Sequence, residues 1–310
     1  MIDANLTRLL FIFAASSIAV VSFLLHNYNN YLPVSIKKTL KYGKHAEKKQ
    51  HVLVSKLEVP KRWFGHFYIF SAPVSALTLI IVINRYFYNG ELSNTVCWLL
   101  DLQLGSSRKP LVSPEDTLVA LFLLTIQCWK RFYETQCVSI FSDSKINISH
   151  YVIGYVHYIG ALTCIIGESQ GFTKGTKANL QPSANFQWNH ISRINFIWMA
   201  IFLLASYAQL RANIIFAKLR KNKDNYVDSK SHKIPHGELF EYISAPLQFT
   251  EIIMYLMLTF ILWDASTFHF IFIWVFVNQT ETAVSTHEWY HDTFKDQYPK
   301  DRKIYIPFIV

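Results

Sequence analysis

Apolar and polar positions alternate along this chain in long blocks. Apolar blocks run over about 6–25, 64–83, 117–141, 149–167, 190–210, 239–263 and 268–284, each close to the roughly 20 residues that an α-helix needs to cross a bilayer. Inside lipid the backbone polar groups must be satisfied within the segment, so blocks of this length predict helices. The expected fold is all-α: a polytopic membrane protein with a seven-transmembrane-helix bundle, read as a single transmembrane domain over 1–310. Two polar connections stand out, the basic loop Val34–Arg62 and the loop that runs from Arg211 to Lys233.

Composition agrees with that pattern. The chain is 51% hydrophobic and 16% aromatic, with a mean hydropathy of +0.18. The net charge of +9 raises the question of nucleic acid. The placement of the cations answers it differently. With seven spans, one side of the membrane receives nine Lys/Arg in Val34–Arg62, three in Lys130–Lys145, seven in Arg211–Lys233 and four in the tail, out of 30. Cytosolic loops carry such an excess, so the N-terminus is expected to be lumenal or exterior, the C-terminus cytosolic, and nucleic acid is not an expected partner. Cys97, Cys128, Cys137 and Cys164 show no metal or redox spacing, and no metal site is expected. The first apolar block lacks a basic leader and a small-residue cleavage site, and is read as a retained span.

Polar residues interrupt the apolar blocks at helical spacing. In the sixth block, Glu241, Ser244, Gln248, Glu251 and Tyr255 follow steps of three and four, which puts them on one helix face. A carboxylate near the middle of a span costs at least about 2.5 kcal/mol, so such groups face a bundle interior or a wet cavity. Ser206, Gln209, Asn213 and Arg220 form a second seam, Gln127, Arg131 and Glu134 a third, and His287, Tyr290 and His291 share one side of a tail helix. Plainer readings stand beside these. Arg131 and Glu134 suit a structural ion pair, Arg220 and Lys221 suit membrane-edge cations, and Glu241 suits a helix dipole. Glu251, deep in its block, is the hardest to read as structural. No nucleotide-binding signature such as GxGxxG or Walker A is present, so any cofactor must be held by the bundle and its basic loops, where Lys44, Arg220, Lys233 and Arg302 suit phosphate groups.

Several short motifs, in order, carry a family resemblance: Tyr42-Gly43-Lys44-His45, Leu219-Arg220-Lys221, Ile234-Pro235-x-Gly237, Phe240-x-Tyr242-x-Ser244, Glu251, Tyr298-Pro299-Lys300-x-Arg302-Lys303 and Ile306-Pro307-Phe308. Together they resemble the steroid 5α-reductase family from about Tyr42 to the C-terminus, most densely after Lys218, with the catalytic region of family type over 150–310. Val59-Pro60-Lys61-Arg62-Trp63-Phe64-x-His66-Phe67-Tyr68 and Phe240-Glu241-Tyr242 look like its polyprenol-reducing branch. The resemblance implies a multi-pass endoplasmic-reticulum enzyme that uses NADPH to reduce a carbon–carbon double bond next to an activating group, here in a long-chain polyprenyl lipid on the route to dolichol for protein N-glycosylation. By position it implies cofactor contacts from Tyr42, Lys44, Arg131, Asn213, Arg220, Lys233, Glu251 and Tyr290, with His287 and Glu251 at the reacting centre.

Departures from the family pattern bear on substrate. Steroid-reducing members have a Glu where Phe67 aligns and a Tyr where Cys128 aligns, the pair that polarises a steroid ketone. Leu247 replaces a family Asn, and one extra residue lies between Phe294 and Tyr298. Hydride adds readily only where charge can delocalise onto oxygen, so the expected immediate substrate is the α,β-unsaturated aldehyde, a polyprenal. His66 and Tyr68 are the candidates to polarise its carbonyl; membrane-interface anchoring is the plain reading of both. Two alternatives remain open. Lys130-Arg131-x-x-Glu134-Thr135 resembles a fatty enoyl-thioester reductase, and a non-catalytic membrane protein would need no cofactor.

Overall fold

A computed structural model describes residues 3–28, 31, 33, 57–173, 186–221, 227 and 232–309. Among these are eight α-helices: α1 Leu6–Asn27, α2 Phe64–Phe87, α3 Asn94–Leu104, α4 Pro114–Tyr133, α5 Ile148–Gly167, α6 Arg193–Lys218, α7 Pro246–Ile261 and α8 Phe268–Phe294. Each predicted apolar block holds one of them, and α3 is an addition inside the connection 84–115. With 11 residues α3 is too short to cross a bilayer; it caps on Ser93 and buries Cys97, Leu100 and Leu104. Four helices are long and apolar enough to cross a membrane: α1, α2 with its leading turn, α5 and α6. The other three miss that measure for visible reasons. α4 carries Lys130 and Arg131 in its last turn, α7 has only 16 residues, and α8 includes Asn278-Gln279-Thr280-Glu281.

Helix starts follow the local chemistry. Ser113 accepts from the Asp116 N–H at 3.0 Å, with Pro114 at the first position and Glu115 and Asp116 in the first turn of α4. The largest shift of a helix start is at α7, which the apolar pattern starts at 239 and the structure starts at Pro246. Gly237 sits at φ 97°, residues 238–241 form a 3-10 turn, and the Ser244 and Ala245 amides donate to the Lys303 and Ile304 carbonyls at 2.9 and 3.1 Å. Those two amides are thus spent on the C-terminal segment, and Pro246 has no amide to give. The expected five-residue seam is corrected accordingly. Gln248, Glu251 and Tyr255 lie on α7, whereas Glu241 and Ser244 belong to the turn before it. At the other extreme, α8 runs on to Phe294 because no Pro or Gly interrupts it, so His287, Tyr290 and His291 extend the last apolar helix instead of forming a separate one.

Successive long helices run antiparallel, giving the bundle two ends. One is tied by polar clamps. Asn5 Nδ2 donates to Thr267 Oγ1 at 2.7 Å, Arg8 Nη2 to Ser266 Oγ at 2.6 Å, and the Thr267 amide to Glu168 Oε2 at 2.9 Å. The other end carries the two-stranded ladder of β1 (Glu58–Pro60) with β2 (Lys145–Asn147) and the C-terminal segment. Between them α5 packs closely: a Cβ on Gly154 would meet the Phe67 ring at 2.8 Å, and one on Gly160 the Phe11 ring at 2.7 Å, so only glycine permits these approaches. Outward positions such as Phe13, Leu77, Ile80 and Leu204 are exposed, a rim that a bilayer covers.

Candidate active site

α4 projects Gln127, Lys130, Arg131 and Glu134 along one side, at spacings of three, four and seven. They meet α6 and α7 in a continuous polar network. Ser206 Oγ donates to Gln127 Oε1 at 2.8 Å. Gln209 Oε1 accepts from Gln127 Nε2 at 2.9 Å and from Lys130 Nζ at 2.5 Å. Gln209 Nε2 in turn donates to Glu251 Oε2 at 2.6 Å. With its oxygen taken by two donors, the Gln209 amide has one orientation, and it aims an N–H at the carboxylate. Glu134 is wholly buried. Arg131 Nη1 donates to its Oε2, and Lys130 Nζ lies 3.3 Å from its Oε1, an ion pair without hydrogen-bond geometry. Two cations against one buried carboxylate meet the requirement that desolvated charges be paired. The chain passes through a π-turn at Glu134–Val138, a widened turn common at functional sites.

Tyr68 on α2 closes this network. Its hydroxyl accepts from Arg131 Nη2 at 2.9 Å, and the guanidinium carbon sits 4.7 Å from its ring centre. His66, two residues away, lies about 200° around the same helix. It is exposed, stacks on Trp63 at 5.4 Å and bonds Tyr151 at 3.2 Å. The two polarising candidates therefore part company: Tyr68 joins the network and His66 faces away. Phe67 and Cys128 are both buried, so no acid–phenol pair stands where steroid-reducing members have one.

A second cluster lies at the end that carries the ladder, where the segment around Tyr298–Ile304 folds back against α7 and α8. Ser244 Oγ is 2.7 Å from both His287 Nδ1 and Tyr298 Oη. Tyr290 and Tyr298 stack at 5.0 Å with rings 5° apart. Burial and then His291 hold His287 below the usual histidine range. Burial, followed by Tyr298, raises the Tyr290 phenol. Arg302 is 3% exposed, and its Nη2 reaches His236 Nδ1 at 3.2 Å. Its Nε and Nη1 are buried with no partner among the described residues, as is Asn213 Nδ2 on α6. Buried donors, charged ones above all, are normally satisfied; Arg302 and Asn213 have donor capacity to spare. Asn213 stands one turn beyond Gln209 and so lies between the two clusters.

The remaining expected contacts fall in several places. Arg220 Nη1 donates to the Ile140 carbonyl, which ties the end of α6 to the segment after α4. Lys233 is exposed. Glu241 accepts from the Gly237 amide within the turn, and its Oε1 lies 3.9 Å from Nδ1 of His236, so it touches the second cluster only at its edge. Tyr42 and Lys44 lie outside the described residues. Sequence reasoning passed over His157 and Tyr158 on α5, buried beside Tyr255 and Tyr68 respectively. The available signal was a histidine halfway along an apolar span, where ionisable groups are rare.

Comparisons with known proteins point the same way. Residues 169–310 match the family model described as 3-oxo-5-alpha-steroid 4-dehydrogenase. The sequence is 37% identical to a polyprenal reductase of Drosophila melanogaster over 99% of this chain and 94% of the relative. It is 34% identical to the Caenorhabditis elegans polyprenal reductase over 87% of this chain and 85% of that one. The human polyprenal reductase shares 30% over 87% and 84%.

Proposed function

The chain belongs to the 3-oxo-5-alpha-steroid 4-dehydrogenase family of membrane oxidoreductases, and on that premise we propose that it reduces the α-isoprene double bond of a polyprenal with NADPH, on the way to dolichol for N-glycosylation. The single observation that carries this is the juxtaposition of two unlike clusters along α7: donors without partners at its mouth, and a fully paired network deeper in that ends on Glu251. The first suits the phosphates of a dinucleotide, the second a nicotinamide and a conjugated carbonyl. The substrate class comes from the polyprenal reductases to which the chain is similar.

The orphaned Arg302 and Asn213 donors fit a dinucleotide. Arg302, Arg220, Lys233 and Asn213 would hold its phosphate and ribose groups, with Tyr42 and Lys44 from the first basic loop and with Tyr290 and His287 beside them. When bound, the cofactor supplies hydride for the β-carbon. The chain's own residues do the rest. Glu251, fixed by Gln209, would offer an acceptor to the cofactor's carboxamide. Tyr68 donates a hydrogen bond to the carbonyl oxygen, and Arg131, bonded to that phenol, favours the negative charge that develops there. The apolar bundle excludes water and accepts the prenyl tail. We place the bundle in the endoplasmic-reticulum membrane with seven crossings, N-terminus lumenal and C-terminus cytosolic, on the strength of the Lys/Arg excess in alternate connections.

The test is turnover by detergent-purified protein with NADPH and a polyprenal, following loss of the α-unit double bond by mass spectrometry. Turnover that vanishes in Arg220→Ala supports the reading. Reduction of a fatty enoyl-CoA but no polyprenal would move the substrate to the fatty-acid branch, and folded protein that binds no NADPH would refute it.

A further inference from the structure

We propose that Tyr255 and His157 form the proton-donating pair of the reaction, with Tyr255 delivering its hydroxyl proton to the α-carbon and His157 positioning that hydroxyl. The inference rests on the reading of the chain as a reductase of a conjugated aldehyde. It concerns the half of the reaction that the groups described above leave without a donor.

Tyr255 stands on α7 one turn past Glu251, about 6 Å further from the mouth. It is 2% exposed, and its hydroxyl meets Nε2 of His157 on α5, itself buried. The imidazole is wedged between Tyr255 at 5.1 Å and Trp274 at 4.9 Å between ring centres. Its Nδ1 is buried without a partner among the described residues. A histidine that served only packing would leave that nitrogen unsatisfied, a cost that an apolar side chain of similar shape avoids.

The pair also completes a circuit. From Arg131, contacts pass to Tyr68, then to Tyr158 at 5.7 Å, to His157 at 5.0 Å and on to Tyr255. One turn of α7 leads back to Glu251, and Gln209 returns the path to Gln127 and Lys130 on α4. Two phenols thus enter the circuit from different helices with different partners. Tyr68 is backed by a guanidinium, which suits an oxygen that gathers negative charge. Tyr255 is backed by an imidazole, which suits handing a proton to carbon, where no charge remains. Environment separates the two roles, as it does for paired acids in other active sites.

The step balances. Hydride from the reduced nicotinamide forms a C–H bond at the β-carbon and leaves the substrate as an enolate. The enolate takes the Tyr255 proton, forming the α C–H bond as the phenol O–H bond breaks. The phenolate accepts a hydrogen bond from Nε2–H of His157 and is reprotonated by water after the saturated aldehyde leaves.

The experiment uses full-length purified protein, NADPH and a polyprenal of defined length in deuterated water, with the label located by NMR. Wild type places one solvent deuteron on one face of the α-carbon. Tyr255→Phe keeps the shape of the ring, so NADPH affinity and KM stay the same and the thermal midpoint falls no further than in His157→Phe/Tyr255→Phe, which also removes the stranded His157 nitrogen, while kcat falls about 10²–10⁴-fold; the residual product carries deuterium on both faces. His157→Gln, which restores an N–H donor, loses less of kcat and keeps single-faced labelling. Tyr255→Phe with wild-type kcat and single-faced labelling overturns the proposal. So does a loss of NADPH binding or of thermal stability that accounts for the lost activity, because Tyr255 is then a packing residue. A wild type that fails to reduce polyprenal at all refutes the reductase reading itself, and the pair falls with it.

Discussion

The interior network and the mouth cluster are built from similar residues and solve opposite problems. Around Glu134 and Gln209, charge and hydrogen bonds close on themselves: Lys130 and Arg131 share one carboxylate, and each atom of the Gln209 amide has a partner. At the other cluster, Arg302 is more deeply buried than Lys130 or Arg131 and yet has two donor nitrogens unmatched among the described residues. A network complete without ligand holds positions in advance of the chemistry. A buried cation that is incomplete without ligand stores its interaction for whatever arrives. The same physics, desolvated charge, is satisfied internally in one region and left open in the other, which is the difference the proposed cofactor site relies on.

The sharpest way to break this contrast is to remove one charge from each region. Glu134→Gln strands Lys130 and Arg131 in the bundle and should destabilise the apo protein by about 3–5 kcal/mol, seen as a large drop in the thermal midpoint in detergent, with NADPH present or absent. Arg302→Met should act with the opposite balance. Apo stability holds or rises, because unsatisfied buried donors are gone, while NADPH affinity falls by roughly 1.5–3 kcal/mol, about 10- to 150-fold, in a calorimetric titration. If both variants lose apo stability alike, the two regions do not differ in kind.

A smaller effect sharpens the picture at the junction. His287 is held below the usual histidine range, so the folded protein stays deprotonated there to lower pH than the unfolded chain, whose histidine titrates near about 6.5. The contribution is full above that pH and is lost as pH falls through the lowered folded value. Thermal midpoints measured downward from pH 7.5 should therefore decline below about 6.5, and His287→Gln should flatten that part of the curve. An unchanged slope would detach His287 from the linkage.

Much of the site was legible from spacing alone. Gln127, Arg131 and Glu134 at helical steps, Ser206 with Gln209, and Glu251 in mid-span were all visible as seams, because a polar face on an apolar helix has to turn away from lipid. The seam over Glu241 and Ser244 misled for an equally physical reason. Period-3.6 spacing presumes a helix, and the amides of Ser244 and Ala245 bond to Lys303 and Ile304 instead. His66 and Tyr68, adjacent in any motif, separate because two residues turn a helix by more than half a revolution. His157 gave only a faint signal, since its meaning depends on Tyr255, 98 residues away.

By itself the sequence determined the all-α character, the positions of the apolar helices and the family, because bilayer length, backbone satisfaction and ordered motifs are written locally. Only the tertiary structure decided which polar seams meet. It joined Glu251 to Gln209 and Tyr68 to Arg131, folded Arg302 back over Tyr298, and left Arg302 and Asn213 with donors to spare. Such pairings depend on the rotation of each helix about its axis, which is set by packing against its neighbours, and no local spacing records it.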